Sequence, residues 1–374
     1  MHHDTIKLDE SDVVQPSPSK TFPDASGPLV SVLIVNYNYE RYLPAAIDSV
    51  LGQTYGNYEL IVCDDGSKDG SRQLINDYAS RYPDRVRAVL KENGGVASAL
   101  NAAFAASTGE VVCFLDADDL FAPDKLGLVV EVFTMNPRAG LVANRMVKFG
   151  DNGAMSGLIP QFGRLDSGWI RDELLRTGGH WSFAPTSGIS LRRSCAEQVF
   201  PIPEDRFRSE ADIFINTQAP MRWEVALVNR PVTYYRLHSS NLTASETITP
   251  EYARRIISGL NRMCEALAAS AEELDVPLVP KVGDNPVYQE MSFVRDYLER
   301  GGSSAIVRDL KAYWRAAYRC RTGDRQKMRI KPFVLTVVAL LPRPWGGRVL
   351  QGMYLPTRLR RAIAGRLLTR IGQS

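Results

Sequence analysis

Three aspartates within four positions, Asp116, Asp118 and Asp119, follow directly on the apolar run Val111-Val112-Cys113-Phe114-Leu115. Carboxylates this close repel one another, and the natural compensation is a divalent cation with oxygen ligands, Mg²⁺ or Mn²⁺; for the cluster alone, a solvated Asp-rich turn is the alternative. A second acidic pair, Asp64-Asp65, follows the run Tyr58 to Cys63 and precedes Gly66-Ser67, and Tyr37 ends the run Val30 to Val35 between Asn36 and Asn38. An aromatic after one run and an acid after the next suit a base that is stacked and hydrogen-bonded at its edge. Where a dinucleotide site needs Gly-x-Gly-x-x-Gly, the chain reads Asn36-Tyr37-Asn38-Tyr39-Glu40-Arg41, and it has no Gly-x-x-x-x-Gly-Lys loop. Nicotinamide hydride transfer and P-loop phosphoryl transfer both lose support.

The elements that must position these residues are legible as a rhythm. Short β-rich runs (Val30 to Val35, Tyr58 to Cys63, Arg85 to Leu90, Glu110 to Leu115) alternate with helical patterns (Arg41 to Leu51, Ser71 to Arg81, Val96 to Ser107). That alternation predicts right-handed βαβ units and a mostly parallel sheet flanked by helices, an α/β fold. Ligands of such sheets bind beyond the carboxyl ends of the strands. Those ends here carry Asn36-Tyr37-Asn38, Asp64-Asp65-Gly66-Ser67, Lys91-Glu92-Asn93 and Asp116-Ala117-Asp118-Asp119, converging on one crevice. After Pro123 the pattern predicts longer loops, then helices from Pro250 to Ser270, Val287 to Arg300 and Ala305 to Tyr318.

The 374 residues allow two to three domains of roughly 150 residues each. With 44% hydrophobic and 23% charged residues, the chain is neither a disordered polymer nor a disulfide scaffold. Five cysteines without Cys-x-x-Cys spacing predict buried thiols in a reducing compartment. Residues 1–27 read as a disordered leader without a signal peptide's apolar stretch, so a cytoplasmic location is expected. Charge is polarised: from Lys311 to the end, 15 Lys and Arg face one acid, Asp324. A polyanionic partner is expected, either nucleic acid or an anionic membrane. The apolar run Phe333 to Leu341, bounded by Pro332 and Pro342, is too short to span a bilayer. Leu359, Ile363, Leu367 and Ile371 recur every fourth residue among Arg358, Arg360, Arg361, Arg366 and Arg370. An interfacial anchor on anionic lipid fits that pattern, and a basic face packed on the protein or on a second subunit is the alternative. No nucleic-acid module accompanies it.

The runs Val32-Leu33-Ile34-Val35-Asn36-Tyr37-Asn38, Asp64-Asp65-Gly66-Ser67-Lys68-Asp69-Gly70, Asn93-Gly94-Gly95 with Asn101, and Phe114-Leu115-Asp116-Ala117-Asp118-Asp119 resemble, in order and spacing, the family 2 inverting glycosyltransferases of GT-A fold. The resemblance covers Leu29 to about Leu126. It implies a GT-A catalytic domain over 28–245 (nucleotide half 28–126, acceptor half 127–245), followed by a helical extension over 246–330 and a basic amphipathic tail over 331–374. It implies a nucleotide-sugar site of Val35, Tyr37, Asp64, Asp65, Asn93, Asp116 and Arg236, with Tyr37 near the base and Asp65 accepting from it. Asp118 would ligate the metal, Mn²⁺ or Mg²⁺, and His238, in the stretch Tyr234-Tyr235-Arg236-Leu237-His238, could complete its shell while Arg236 met the diphosphate.

The family's Glu-Asp pair before an apolar helix corresponds to Ser209-Glu210-Ala211-Asp212-Ile213, which puts Glu210 at the catalytic base and leaves Asp212 as the second choice. A base is needed because the acceptor hydroxyl must lose its proton as it attacks. His180, Trp181, Thr186 and Ser187 fall where an acceptor or the donor sugar would lie. The implied activity is inverting, metal-dependent transfer from a nucleoside-diphosphate sugar, UDP by default, to a saccharide or lipid-linked saccharide hydroxyl, in polysaccharide assembly at the inner membrane face. A homo-oligomer is compatible with it. The rivals are a nucleotidyltransferase acting on a sugar phosphate and a non-catalytic nucleotide-sugar-binding scaffold.

Overall fold

The computed structural model describes residues 27–159, 165–238, 248–300, 304–320, 325–341 and 343–354. The leader and the arginine-rich segment after residue 354 lie outside them. The chain forms two units: one of 27–174, 181–237 and 265–279, the other of 175–180, 238–264 and 280–354. Residues 265–279 return to the first unit.

The first unit opens β1 (Val30–Asn36), α1 (Leu43–Leu51), β2 (Tyr58–Asp65), α2 (Ser71–Arg81), β3 (Val86–Lys91), α3 (Val96–Ala105) and β4 (Val111–Asp116). β1, β2 and β4 are apolar at almost every position because helices cover both faces of a parallel sheet, and Val32, Leu33 and Ile34 are all 0% exposed. There follow β5 (Leu120–Phe121), α4 (Lys125–Met135), β6 (Ala139–Gly150), β7 (Met155–Ile159), α5 (Arg171–Arg176), β8 (Ile189–Arg192), α6 (Arg193–Val199), α7 (Ala211–Arg222) and β9 (Glu224–Leu237). The strands order as β3-β2-β1-β4-β8-β6-β9-β5, with β7 on β6.

β1 pairs in parallel with both β2 and β4, so the chain reverses its direction of travel across the sheet between β1 and β4. A crevice opens at such a switch point. β8 then runs antiparallel to β4, pairing Cys113 with Ser190, and β9 returns alongside β5, pairing Leu120 with Tyr234. Where longer loops were expected after Pro123, β6 and β9 are strands of 12 and 14 residues. Their polar residues broke the apolar signature, and Asn144 and Thr233 are buried because they are hydrogen-bonded.

The helices that follow are α8 (Pro250–Glu273), α9 (Pro286–Arg300), α10 (Ser304–Arg319), α11 (Arg325–Leu340) and α12 (Arg343–Tyr354). Within the second unit Phe293, Tyr313, Leu335, Val338 and Leu350 form the core. Buried Glu290 accepts from Tyr313 Oη at 3.1 Å and from Lys331 Nζ at 2.8 Å. Pro332 was expected to bound an apolar segment; instead α11 runs through it, with the ring buried. The proline costs α11 one backbone hydrogen bond, which core packing offsets. No helix among the described residues is long and apolar enough to cross a membrane. All five cysteines are free and buried, as expected.

Ile34 is central to the first core. Ile34→Ala should cost about 2–5 kcal/mol in a guanidinium unfolding titration. A loss below 1 kcal/mol would mean that the strand is not buried on both faces.

Candidate active site

At the carboxyl end of β2 the two aspartates do different work. Asp64 is 0% exposed and saturated: Oδ1 accepts from Asn36 Nδ2 at 2.9 Å, and Oδ2 accepts from the amides of Gly66 and Ser67 and from Arg72 Nε at 2.9 Å. After the burial penalty, these bonds hold its carboxyl below the usual range. Asp64 therefore shapes the turn. Gly66 completes it at φ +82°, with a backbone amide 2.7 Å from where a Cβ would stand. Asp65 accepts from Lys91 Nζ at 2.9 Å and from the Gly94 and Gly95 amides at 2.9 and 2.7 Å. Its carboxylate is thus fixed in place, and Tyr37, the residue that follows β1, is 43% exposed. Val35 pairs with both Cys63 and Asp116, so it joins the two acidic strand ends.

The Asp116 to Asp119 turn is held from behind. Ser187 Oγ, on a short 3-10 turn leading into β8, accepts from the Asp116 amide at 3.0 Å and donates to Asp119 Oδ2 at 2.6 Å. The Arg236 amide donates to Asp119 Oδ1 at 3.0 Å and Arg236 Nε to the Asp118 carbonyl at 2.9 Å. Lys125, 0% exposed, donates to Ser187 O, Thr233 Oγ1 and Asn144 Oδ1 at 2.7, 2.9 and 3.1 Å. Burial pulls its ammonium down to about 7. The network joins β4, β6 and β9 to the 3-10 turn and α4 and fixes the acidic turn in one conformation.

Burial, then Asp118, then Asp212 push the Asp116 carboxyl up to about 8. Asp119 lies well above the usual carboxylate range, through burial and then Asp118 and Asp116. Asp212, in the first turn of α7, is also raised, first by burial and partly by Glu210, the residue that precedes the helix. Asp116, Asp212 and Glu210 therefore act on one another in series. The loop bearing Glu210 is tied to the donor side: Asn101 bonds both ways with Ile202 and donates to Glu204, and Arg208 Nη2 donates to Asn93 Oδ1 at 2.7 Å. Gly95, at φ +93°, leaves room for Arg208 that a Cβ would fill.

Other expected residues fall differently. Arg236 is 2% exposed and lies between the rings of Tyr42 and Phe149, at 5.0 and 4.6 Å. A guanidinium so enclosed braces the acidic turn. Trp181 is 2% exposed against Phe183, Thr186 is buried, and Ser187 is the strut described above, so none of the three offers a surface to an acceptor. His180 and His238 belong to the second unit. Sequence reasoning missed Lys125, Asn144, Arg208 and Thr233. Only Lys125 left a signal, as a charge directly before the apolar residues Leu126 to Val130 of α4.

Among the described residues no three His, Cys, Asp or Glu side chains form a group that could hold a metal ion by themselves. The donor set fits a different mode. Hard divalent ions of the Mg²⁺ kind are bound through one or two carboxylates plus phosphate oxygens of the substrate, and Asp116 and Asp118, mutually repelling at a strand end, are the residues that would supply that share.

A parallel sheet with its polar strand ends gathered at a switch point, extended by the β8-β6-β9 half that carries the acidic turn's supports, is an α/β fold of GT-A type. Over residues 31–200 the chain matches the model of Glycosyl transferase family 2. An uncharacterized glycosyltransferase of Nostoc sp. is 39% identical over 212 residues, 57% of this chain and 66% of the relative. The putative glycosyltransferase EpsE of Bacillus subtilis is 37% identical over 135 residues, 36% and 49% of the two chains. Chondroitin synthase of Pasteurella multocida is 37% identical over 131 residues, 31% of this chain and 14% of the relative. The chain thus spans less than two thirds of the length of these relatives. Among solved structures, Staphylococcus aureus TarS has TM-score 0.49 at 17% identity, covering 82% of this chain and 52% of that one. A mannosyltransferase of Pyrobaculum calidifontis in complex with GDP-Man and Mn²⁺ has TM-score 0.47 at 20% identity, covering 90% and 89%.

Two outcomes follow from this geometry. Ser187→Ala strands Asp119 Oδ2 and the Asp116 amide and should cost about 1–3 kcal/mol in a denaturant titration; no change would remove Ser187 from the network. In metal-free protein Asp116 keeps a proton that the unfolded chain releases. Its contribution to stability is full below about pH 4 and is lost as pH rises through about 8. A cation replaces that proton. Mn²⁺ should therefore raise the melting temperature more at pH 8 than at pH 5, a difference in which the opposite trend of Lys125 cancels. Equal shifts at the two pH values would contradict a cation at Asp116.

Proposed function

We propose that this chain is an inverting, divalent-metal-dependent glycosyltransferase that moves a sugar from a nucleoside-diphosphate sugar, UDP by default, to a hydroxyl of a saccharide or lipid-linked saccharide. The observation that carries the reading is the Asp116-x-Asp118 turn at the switch point of a domain that matches the family 2 model, its carboxylates repelling one another at a braced strand end. Tyr37 and Asp65 take the base, Val35 and Asn93 line the nucleotide side, and Asp118 with Asp116 would hold Mn²⁺ or Mg²⁺. When bound, the ion supplies positive charge to the departing diphosphate.

Glu210 accepts the acceptor's proton as the acceptor oxygen bonds to the anomeric carbon; on the opposite face the bond to the diphosphate oxygen breaks, and the nucleoside diphosphate leaves with the electron pair. Asp212, raised and acting on Asp116, keeps the base segment electrostatically coupled to the acidic turn. The basic residues from Lys311 onward support work at the cytoplasmic face of the cell membrane, in polysaccharide assembly.

Purified protein with Mn²⁺ and a panel of UDP-, GDP- and dTDP-sugars should release nucleoside diphosphate. Asp118→Ala or EDTA should abolish release with the fold intact, whereas pyrophosphate as product would identify a nucleotidyltransferase. Glu210→Gln should lower kcat by about 10²–10⁴-fold with donor affinity unchanged. If only Asp212→Asn gives that signature, Asp212 is the base.

A further inference from the structure

α10 and α11 carry apolar side chains on two sides. On α10, Leu310, Tyr313 and Ala317 face the core of the second unit, yet Val307, Trp314 and Tyr318 are 54%, 40% and 75% exposed. At 3.6 residues per turn, positions i, i+7 and i+11 form one stripe along the outside of the helix. On α11, Leu335 and Val338 are buried, while Phe333, Val337 and Leu340, at i, i+4 and i+7, are 61%, 41% and 82% exposed. Trp314 Nε1 donates to Thr336 Oγ1 at 3.2 Å, which sets the two stripes side by side. The charges are one-sided. Every exposed charged side chain described on α10 is basic (Arg308, Lys311, Arg315 and Arg319), and its single acid, Asp309, is buried.

A helix face that met only water would have no use for Trp, Tyr, Phe and Leu in a row, and contiguous exposed apolar surface marks an interaction site. We infer that this outer face of α10 and α11 seats the protein on an anionic lipid surface, the aromatic and aliphatic stripe entering the headgroup boundary and the flanking arginines meeting lipid phosphates. The inference rests on the membrane location proposed above and moves the contact from the arginine-rich C-terminal segment to these helices. Charge complementarity favours lipid over a second copy of the chain, since a two-fold pairing of this face would set arginines against arginines. No helix among the described residues is long and apolar enough to cross, so α10 and α11 would lie along the surface.

Flotation of the full chain with phosphatidylcholine vesicles, with and without phosphatidylglycerol, tests this. Binding should require phosphatidylglycerol and weaken with salt. Replacing Trp314, Tyr318, Phe333 and Leu340 together by serine should cut binding at least about tenfold, and Arg308, Arg315 and Arg319 together by glutamine should do likewise. Circular dichroism and nucleoside diphosphate release should be unchanged in both variants. The full chain with Arg358, Arg360, Arg361, Arg366 and Arg370 changed to glutamine should still bind. If the serine variant floats like wild type, or only the Arg358 to Arg370 variant fails to bind, the surface is not the seat. If the serine variant floats normally but turns a dimer into a monomer in sedimentation velocity, the face joins two copies and the inference is overturned. Vesicle binding without donor turnover would leave the surface standing and remove the transferase reading.

Discussion

Mutual repulsion among buried carboxylates at the end of β4 is the constraint on which the rest of the first unit depends. Asp116, Asp118, Asp119 and Asp212 would drive one another apart in a loose loop, and burying such charges without partners is costly. The fold compensates with a rigid backing. The Ser187 hydroxyl on the 3-10 turn before β8, the amide and guanidinium of Arg236 on β9 and the dehydrated Lys125 on α4 hold the turn. The antiparallel docking of β8 on β4 and the return of β9 beside β5 exist, in functional terms, to bring these groups there.

The opposite wall of the crevice is built by the same means with less stored repulsion. Asp64 and Asp65 are satisfied by neighbours, so the turn they organise is preformed before any ligand arrives. Through Asn93 and Arg208 that wall also holds the segment ending in Glu210. The two sides of the proposed reaction are therefore not independently adjustable: a shift of the Asn93 turn displaces the base segment with it.

How much of this could be read beforehand depended on sequence distance. The β1 to β4 half was legible because each helix and strand announces itself within a dozen residues, and because the acidic and aromatic residues stand immediately after the apolar runs. The ranges of α2 and β4 hold to within a residue or so of the expected ones. Ser187, Thr233 and Asn144 were illegible because their roles arise only from partners on other strands. The surroundings of Arg236 were illegible for a related reason: its type suits a diphosphate, and only the rings of Tyr42 and Phe149 reveal that it is enclosed. The stripe on α10 hid within an amphipathic pattern whose buried side alone was enough to predict a helix.

The separation between the acidic turn and its supports also sets an order on how the chain matures. Ser187 stands 68 residues after Asp119, and the amide of Arg236 stands 117 residues after it. On a ribosome, where chains emerge from the N-terminus, the parallel β1 to β4 half is available to collapse while the acidic turn still lacks both. Nascent chains halted before residue 236 would thus carry the Asp64-Asp65 wall without a fully held acidic turn. Competence for chemistry is withheld until the last strand of the sheet has been made.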